Sequence, residues 1–459
     1  MTGAAARNGA PGRRAWLAAA LGLLLAMPLV GVTAQDAGRS GGRYLGVATC
    51  AGSTCHGRAE GNGELVRQDE IATWQEPSSP SGAHSRALAA LDTVRGRQIA
   101  ATLGMGDPSG EPACLGCHAT LAPAAERGPR FQLSEGVGCE SCHGPASGWI
   151  ANHYTTAGDH PANVRNGLVP LENPQARAGV CLDCHFGSAG GNQFVTHRMM
   201  AAGHPRIAFE LDLFSALQQH HDEDADYLQR KGRTNSVQLW AVGQAEAVRR
   251  QADLFSRPGF GTEGIFPEFY FYDCHSCHRQ ISDGPQRRLT FESNPGRPIA
   301  FGQPPFNDEN IIMLSAVARV LAPGQGQAFE SAARGFHLAM GKNRAEAASA
   351  AMRLRGAAAA LSDALAGSSG DAFAVIAAIA DRTTNPRFTD YTGSAQAVMA
   401  VDTLLNALVR EGRVTVGAAA GIRADINRAY EAVRSPESYN PVRFRAALGQ
   451  AAGAIGTLR

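Results

Sequence analysis

The residues best suited to chemistry in this chain are its ten cysteines, which form five pairs, each followed directly by a histidine. Cys-x-x-Cys-His is the pattern for covalent haem c attachment, in which two thiols form thioethers and the histidine ligates the iron. Four pairs have this spacing, and the first has two extra residues between its cysteines. The pattern predicts five covalently bound haem c groups. The motifs are Cys50, Cys55 and His56; Cys114, Cys117 and His118; Cys139, Cys142 and His143; Cys181, Cys184 and His185; and Cys274, Cys277 and His278.

Two other uses of paired cysteines account for less of the pattern. Cys-x-x-Cys pairs can hold tetrahedral zinc, and an even number of cysteines in an exported chain can mean disulfide bonds. Neither use requires a histidine directly after every second cysteine. The histidines therefore favour haem. The longer first motif is included because two residues can loop out before both thiols reach one porphyrin.

The second axial position of each iron separates electron transfer from catalysis. A second histidine gives a six-coordinate iron suited to electron transfer, whereas an open face lets small molecules bind and react. His197 and His204 are seven residues apart, which is two turns along one helix face, and they are predicted to ligate neighbouring haems. Hydrogen bonding to propionates is the alternative for both. His275 lies between two haem cysteines and is predicted to ligate an adjacent haem.

The remaining candidates have simpler interpretations. His220 and His221 precede an acidic run, which favours a solvated loop over a cation site or an acidic docking face. His337 is the single histidine after residue 307, and a structural role is favoured over one as a haem ligand. Met199 and Met200 are soft alternative ligands whose expected role is packing.

A family resemblance rests on Trp74, on Gly-Ala-His-Ser-Arg-Ala at 82–87, and on Gly-Cys-Glu-Ser-Cys-His-Gly-Pro at 138–145 followed by Trp149 and His153. In these features residues 44–281 resemble multihaem c-type cytochromes of the cytochrome c-554 type. The resemblance implies distal-ligand roles for His84 and His153, with His160 as the alternative to His153. The chain departs from the four-haem pattern in having five motifs, a long first motif and a further helical region.

The N-terminus predicts export. Arg13 and Arg14 precede an apolar run and a small-residue cleavage site, the layout of a secretory signal at 1–34. Removing it takes away three arginines and no acid, so the formal net charge of +1 becomes about −2. No clustered positive charge suggests nucleic acid, and no later stretch is apolar enough to span a membrane. The prediction is a periplasmic protein that reaches a membrane only through a partner.

The expected fold is mainly α, with a loop-rich multihaem cytochrome c domain at 35–284, a Pro-rich linker at 285–306 and an all-α helical bundle at 307–459. Frequent Gly and Pro among the haem motifs predict short helices and loops around porphyrins. Apolar periodicity predicts longer helices afterwards. Their expected positions are 92–103 and 204–219 in the first domain, then one from residue 307 or 308, and 327–340, 344–366, 372–380, 394–410, 416–433 and 442–458.

Close-packed haems predict a carrier that passes single electrons between other redox proteins, its donor and acceptor. The alternative is a multihaem oxidoreductase that acts on a small nitrogen or sulfur compound at one open haem. The resemblance extends more distantly to hydroxylamine oxidoreductases and nitrite reductases, but no residue is singled out as catalytic. A third hypothesis, compatible with the first, is that the helical bundle docks the cytochrome onto a redox partner.

Overall fold

The computed structural model describes Met1 and residues 42–61, 67–155, 159–190, 193–221, 228–229, 232, 234–260, 268–279, 297–299 and 303–459. Apart from Met1, the expected signal peptide lies outside the described residues, as does most of the expected linker. The described chain is mainly helical and has no β-strand, which confirms the predicted fold class. Its β-type pairing consists of two isolated bridges, which join Tyr44 to Arg127 and Tyr272 to Phe306.

The haem motifs lie among short helices. Prolines near the first position start several of them where the missing N–H costs nothing. Asn173, for example, caps α8 by accepting hydrogen bonds from two backbone N–H groups. The helices are α1 Val47–Cys50, α2 Glu70–Gln75, α3 Val94–Leu103, α4 Pro112–His118, α5 Cys139–His143, α6 Ile150–His153, α7 His160–Arg165, α8 Pro174–His185, α9 His197–Ala201 and α10 Leu211–Leu217.

The region after residue 307 is a set of seven longer helices, as predicted, with ends close to the expected ones. Most begin at a side-chain cap such as Asn343 or Thr415. The first helix differs, because Asp308 occupies the N-cap position without capping and instead pairs with Arg297 and His337. The helices are α12 Glu309–Leu321, α13 Pro323–Met340, α14 Arg344–Ala366, α15 Ala372–Thr383, α16 Tyr391–Arg410, α17 Val416–Ala432 and α18 Pro441–Gly456.

A long helix that the sequence patterns did not predict joins the two regions. This helix, α11 (Ser236–Ser256), buries 17 of its 21 residues. It packs on α8 of the haem region and on α14 of the helical region. Trp240 and Phe255 belong to the same apolar core as the C-terminal helices. The boundary at residue 284 stays a prediction, but this core extends across it.

A helix that crosses a bilayer needs roughly 20 predominantly apolar residues. Among the described residues, no helix combines the length and the apolar character that crossing a membrane requires.

Candidate haem-binding site

The local folding of the motifs brings each proximal histidine to the end of a short element. Three of the four short motifs form the last turn of a helix: α4 ends at His118, α5 at His143 and α8 at His185. The tight turn after α5 needs Gly144, whose φ is 81° and where an added Cβ would lie 2.5 Å from the Gly167 carbonyl oxygen. The fifth motif begins instead in a short 3₁₀ turn.

Each of the five proximal imidazole rings faces another imidazole ring. Two proximal rings face histidines implied by the family resemblance, two face histidines predicted from their spacing, and one faces a pair predicted to lie in a solvated loop. The ring-centroid distances are 6.1 Å for His56 and His153, 6.0 Å for His84 and His185, 6.4 Å for His118 and His204, 6.0 Å for His197 and His278, and 6.3 Å from His143 to both His220 and His221.

These distances are those expected for two rings that ligate one iron from opposite sides. A metal–imidazole bond is about 2 Å long, and the ring centre lies about 1.1 Å behind the nitrogen, so the two centroids should be about 6.2 Å apart. Rings in direct stacking contact come closer, as His220 and His221 do at 4.3 Å. The donor set therefore fits bis-histidine haem at all five motifs.

Hydrogen bonds to Nδ1 fix the orientation of several of these rings. The Nδ1 atom of His118 lies 2.7 Å from the Ala87 carbonyl oxygen, and that of His204 lies 2.8 Å from the Pro205 carbonyl oxygen. The Nδ1 of His56 lies 2.9 Å from Glu70 Oε2. An Nδ1–H that donates to oxygen fixes the tautomer and leaves Nε2 free for a metal.

Burial keeps the innermost rings neutral, which is the form that binds a metal. Burial lowers the pKa of His143 to about 3, with the nearby His221 and His220 adding to the shift. Burial also lowers the pKa of His185 to about 4, with His84 as the second cause. Phe209 stacks on His185 with ring centroids 5.1 Å apart. Both rings are therefore held in the neutral form, and Phe209 gives His185 an apolar neighbour.

All ten cysteines lie in the described part of the chain and carry free thiols, so none forms a disulfide there. Cysteines of different motifs lie next to each other. Cys50 and Cys139 share a side-chain hydrogen bond, and the Cys117 Sγ lies 4.0 Å from the Cys184 carbonyl oxygen. The first motif is therefore adjacent to the third, and the second is adjacent to the fourth.

Glu140, between the two cysteines of the third motif, ties that motif to the start of the described chain. Its carboxylate is buried and accepts hydrogen bonds from three backbone N–H groups: Leu45 at 2.8 Å, Gly46 at 2.7 Å and Ala146 at 2.7 Å. Bonds of this kind to a charged acceptor are stronger than neutral ones. Glu140 thus fixes the position of the helix that carries His143.

Two other histidines from the sequence analysis lie elsewhere. The structure places His275 against the helical region, with Nδ1 2.6 Å from the Pro436 carbonyl oxygen and its ring 5.1 Å from Tyr439. Its ring is not brought opposite any of the five proximal rings, all of which are described, so its role as a ligand stays a prediction. His160 contacts Glu172, while His153 occupies the position facing His56.

His220 and His221 were not predicted as ligands from the sequence. The acidic residues that follow them indicated a solvated loop, and nothing local to the sequence marks a ligand. Elimination would not have found them, because five other histidines, His275 among them, were already predicted for the five distal positions. His220 is the better placed of the two, since its Nδ1 lies 2.9 Å from the Gln218 carbonyl oxygen, whereas the His221 side chain is 44% exposed and lies 3.4 Å from Glu70.

Paired cysteines followed directly by histidine are the pattern by which c-type cytochromes attach haem. Residues 50–144 match the family model for cytochrome c554 and c-prime. This match, over about a fifth of the chain, supports a cytochrome c family, and the helical region follows it. No curated protein and no solved structure gives a match to the chain. A cytochrome c family suggests covalently bound haem c and a role in haem-based electron transfer with redox partners.

Proposed function

We propose that this protein is a periplasmic pentahaem cytochrome that passes electrons between redox partners, with two histidines on every haem iron. The observation that carries the proposal is the set of five facing ring pairs, each 6.0–6.4 Å between centroids. The count of five rests on the five cysteine motifs, each of which contributes one ring to a pair. Export is supported by the signal pattern at the N-terminus.

The residues proposed to hold the haems are the ten motif cysteines, the five proximal histidines, and five distal histidines: His84, His153, His197, His204 and His220. Bound haem supplies reversible one-electron chemistry at iron. The chain fixes the ligands with Nδ1 hydrogen bonds and surrounds them with aromatic side chains such as Phe209, Phe214 and Trp149. Fixed ligands and a low local dielectric set a potential and limit rearrangement on electron transfer.

The enzyme alternative requires one iron face that a substrate can reach. Each of the five proximal rings faces a second histidine at the centroid distance expected for two ligands of one iron, as His118 faces His204 at 6.4 Å. A haem held between such a pair would have no open axial position. Electron transfer needs no open position. The geometry therefore supports a carrier better than a catalyst.

The test uses mature holoprotein purified from a host with haem c maturation. Haem quantification should give five per chain, and cell fractionation should place the protein in the periplasm. Electron paramagnetic resonance of the oxidised protein should show low-spin haem alone, and carbon monoxide should leave the reduced spectrum unchanged. A high-spin signal accompanied by a carbon monoxide shift would instead favour the oxidoreductase and would justify tests of nitrite, hydroxylamine and sulfur oxyanions.

A further inference from the structure

A cavity of about 500 Å³ lies between α12, α13 and α15 of the helical region. None of the residues that line it belongs to a haem motif or to a facing ring pair. Its volume is in the range of small-molecule sites, which hold roughly 300–1,000 Å³. Ile311, Ile312 and Ala333 contribute an apolar part of the wall, and four arginines contribute a charged part. The cavity is therefore large enough for an organic molecule and positively charged.

Two of the four arginines already have carboxylate partners. The Nε of Arg297 lies 2.7 Å from Asp308, and its Nη2 lies 3.0 Å from Asp390, all three side chains being buried. His337 extends this group with its Nε2 3.0 Å from Asp308. Arg319, near the mouth, pairs with Glu330. These two arginines are neutralised by the protein itself.

The other two, Arg334 and Arg382, have no ion pair in the described part of the chain. The Nε of Arg382 is fully buried there without a hydrogen-bond partner. Burial, and after it the charge of Arg297, lowers the pKa of Arg382. An unpaired buried guanidinium N–H costs free energy unless something within the cavity accepts its hydrogen bond. Among the described residues, neither Arg334 nor Arg382 has a carboxylate partner, although the charges of Glu330 and Asp308 act on Arg382 from a distance.

We propose that this cavity binds a small organic anion through Arg334 and Arg382, which would form hydrogen bonds to its carboxylate or phosphate oxygens. The planar guanidinium group presents donors in a fork that matches both kinds of oxyanion. The apolar wall suits a short carbon skeleton. A single inorganic anion would fill only a small part of the volume. The site is independent of the haem ligands, so its failure would leave the electron-transfer proposal unaffected.

The test is isothermal titration calorimetry on the holoprotein, in a buffer without carboxylate or phosphate, with succinate, glycerol 3-phosphate and inorganic phosphate as separate probes. We expect saturable binding of one organic probe per chain. Tighter binding of succinate would assign a carboxylate ligand, and tighter binding of glycerol 3-phosphate would assign a phosphate ligand. Inorganic phosphate should bind more weakly than the preferred organic probe, because it makes no contact with the apolar wall.

Three variants test whether Arg334 and Arg382 are the residues that bind the organic probe. Arg382→Gln should weaken binding at least tenfold, and Arg334→Gln, on an exposed position that tolerates change, should weaken it as well. Arg434→Gln is the matched control, because Arg434 is exposed and pairs with Glu431 away from the cavity. Haem spectra should be the same in all proteins, and thermal unfolding should be the same in Arg334→Gln and Arg434→Gln as in the unmodified protein. The proposal is wrong if none of the probes saturates at millimolar concentration, or if Arg334→Gln and Arg434→Gln bind as the unmodified protein does.

Discussion

The assignment of the distal ligand opposite His143 gives the sharpest prediction, because two adjacent histidines compete for it. The rings of His220 and His221 have centroids 6.3 Å from that of His143 and 4.3 Å from each other. Either ring could therefore replace the other after a single substitution. The decisive perturbation is the double variant His220→Ala, His221→Ala, which leaves no imidazole on that side.

The structure sets the size of the expected effect. The other four proximal rings keep their own facing histidines, so the double variant should open one haem in five, about one fifth of the total. That fraction should become high-spin when oxidised and should bind carbon monoxide when reduced. The unmodified protein should show neither property. His275→Ala is the matched control, because His275 contacts Pro436 and Tyr439 instead of a proximal ring, and this variant should stay fully low-spin.

The assay combines haem quantification, electron paramagnetic resonance and carbon monoxide difference spectra on the same preparations. The single variants then identify the native ligand: His220→Ala should change one set of low-spin signals, and His221→Ala should change none. A double variant that keeps five haems and remains entirely low-spin would refute the assignment. If His275→Ala opens a haem instead, the ligand role predicted for His275 from the sequence would replace it.

Three further results are expected. Glu140→Gln should lower the free energy of unfolding by about 1.5–3 kcal/mol, because it weakens charge-assisted bonds to three backbone N–H groups. Thermal unfolding measures this loss, and Glu60→Gln, at an exposed position, should leave the melting temperature unchanged. Trp240→Ala should lower the free energy of unfolding by about 3–5 kcal/mol, because it leaves a cavity at a fully buried site. An unchanged melting temperature would contradict the apolar core that α11 shares with the C-terminal helices. Burial, and then Asp212, raise the pKa of Glu210 to about 8 from a usual 4.5. The contribution of Glu210 to the free energy of unfolding should therefore be most favourable below pH 4.5 and should fall as pH rises to 8. Melting temperatures between pH 5 and 8 should fall less steeply in Glu210→Gln than in the unmodified protein.

Much of the architecture was predictable because it depends on local pattern. The spacing of cysteine and histidine locates the five motifs, and apolar periodicity located the C-terminal helices to within a few residues. Helix α11 was not predicted, although its apolar residues recur with a helical period as clearly as those of α12. The frequent Gly and Pro of the surrounding haem motifs favoured short helices and loops there instead. Its Gln, Glu and Arg side chains are buried through partners, as Arg250 is with Asp183.

Which histidine faces which proximal ring was less predictable, because the pairing depends on tertiary contacts. His84 faces His185, about 100 residues later, and His204 faces His118 across the same region. The seven-residue spacing of His197 and His204 suggested one continuous helix face. The structure ends α9 at Ala201, and the two rings face different motifs. The spacing singled out both histidines, whose ligand roles stay predictions, but the single helix that it suggested between them is not formed.

The structure also changes what the helical region can be. The sequence suggested that the helical bundle is a domain of its own that docks the cytochrome onto a redox partner. In the structure, this region holds the fifth motif in place: the Asn307 N–H donates to the Phe271 carbonyl oxygen at 2.8 Å, and the Thr392 N–H donates to Asp273 Oδ1 at 3.3 Å. Arg206, beside the fourth motif, pairs with Glu309 at 2.7 Å. Removing residues 307–459 would strip these contacts and expose the buried face of α11. Loss of electron transfer in such a truncation could therefore come from disruption of the fifth motif and would not test docking. Docking is tested by substituting surface residues of the helical region while its helices stay intact.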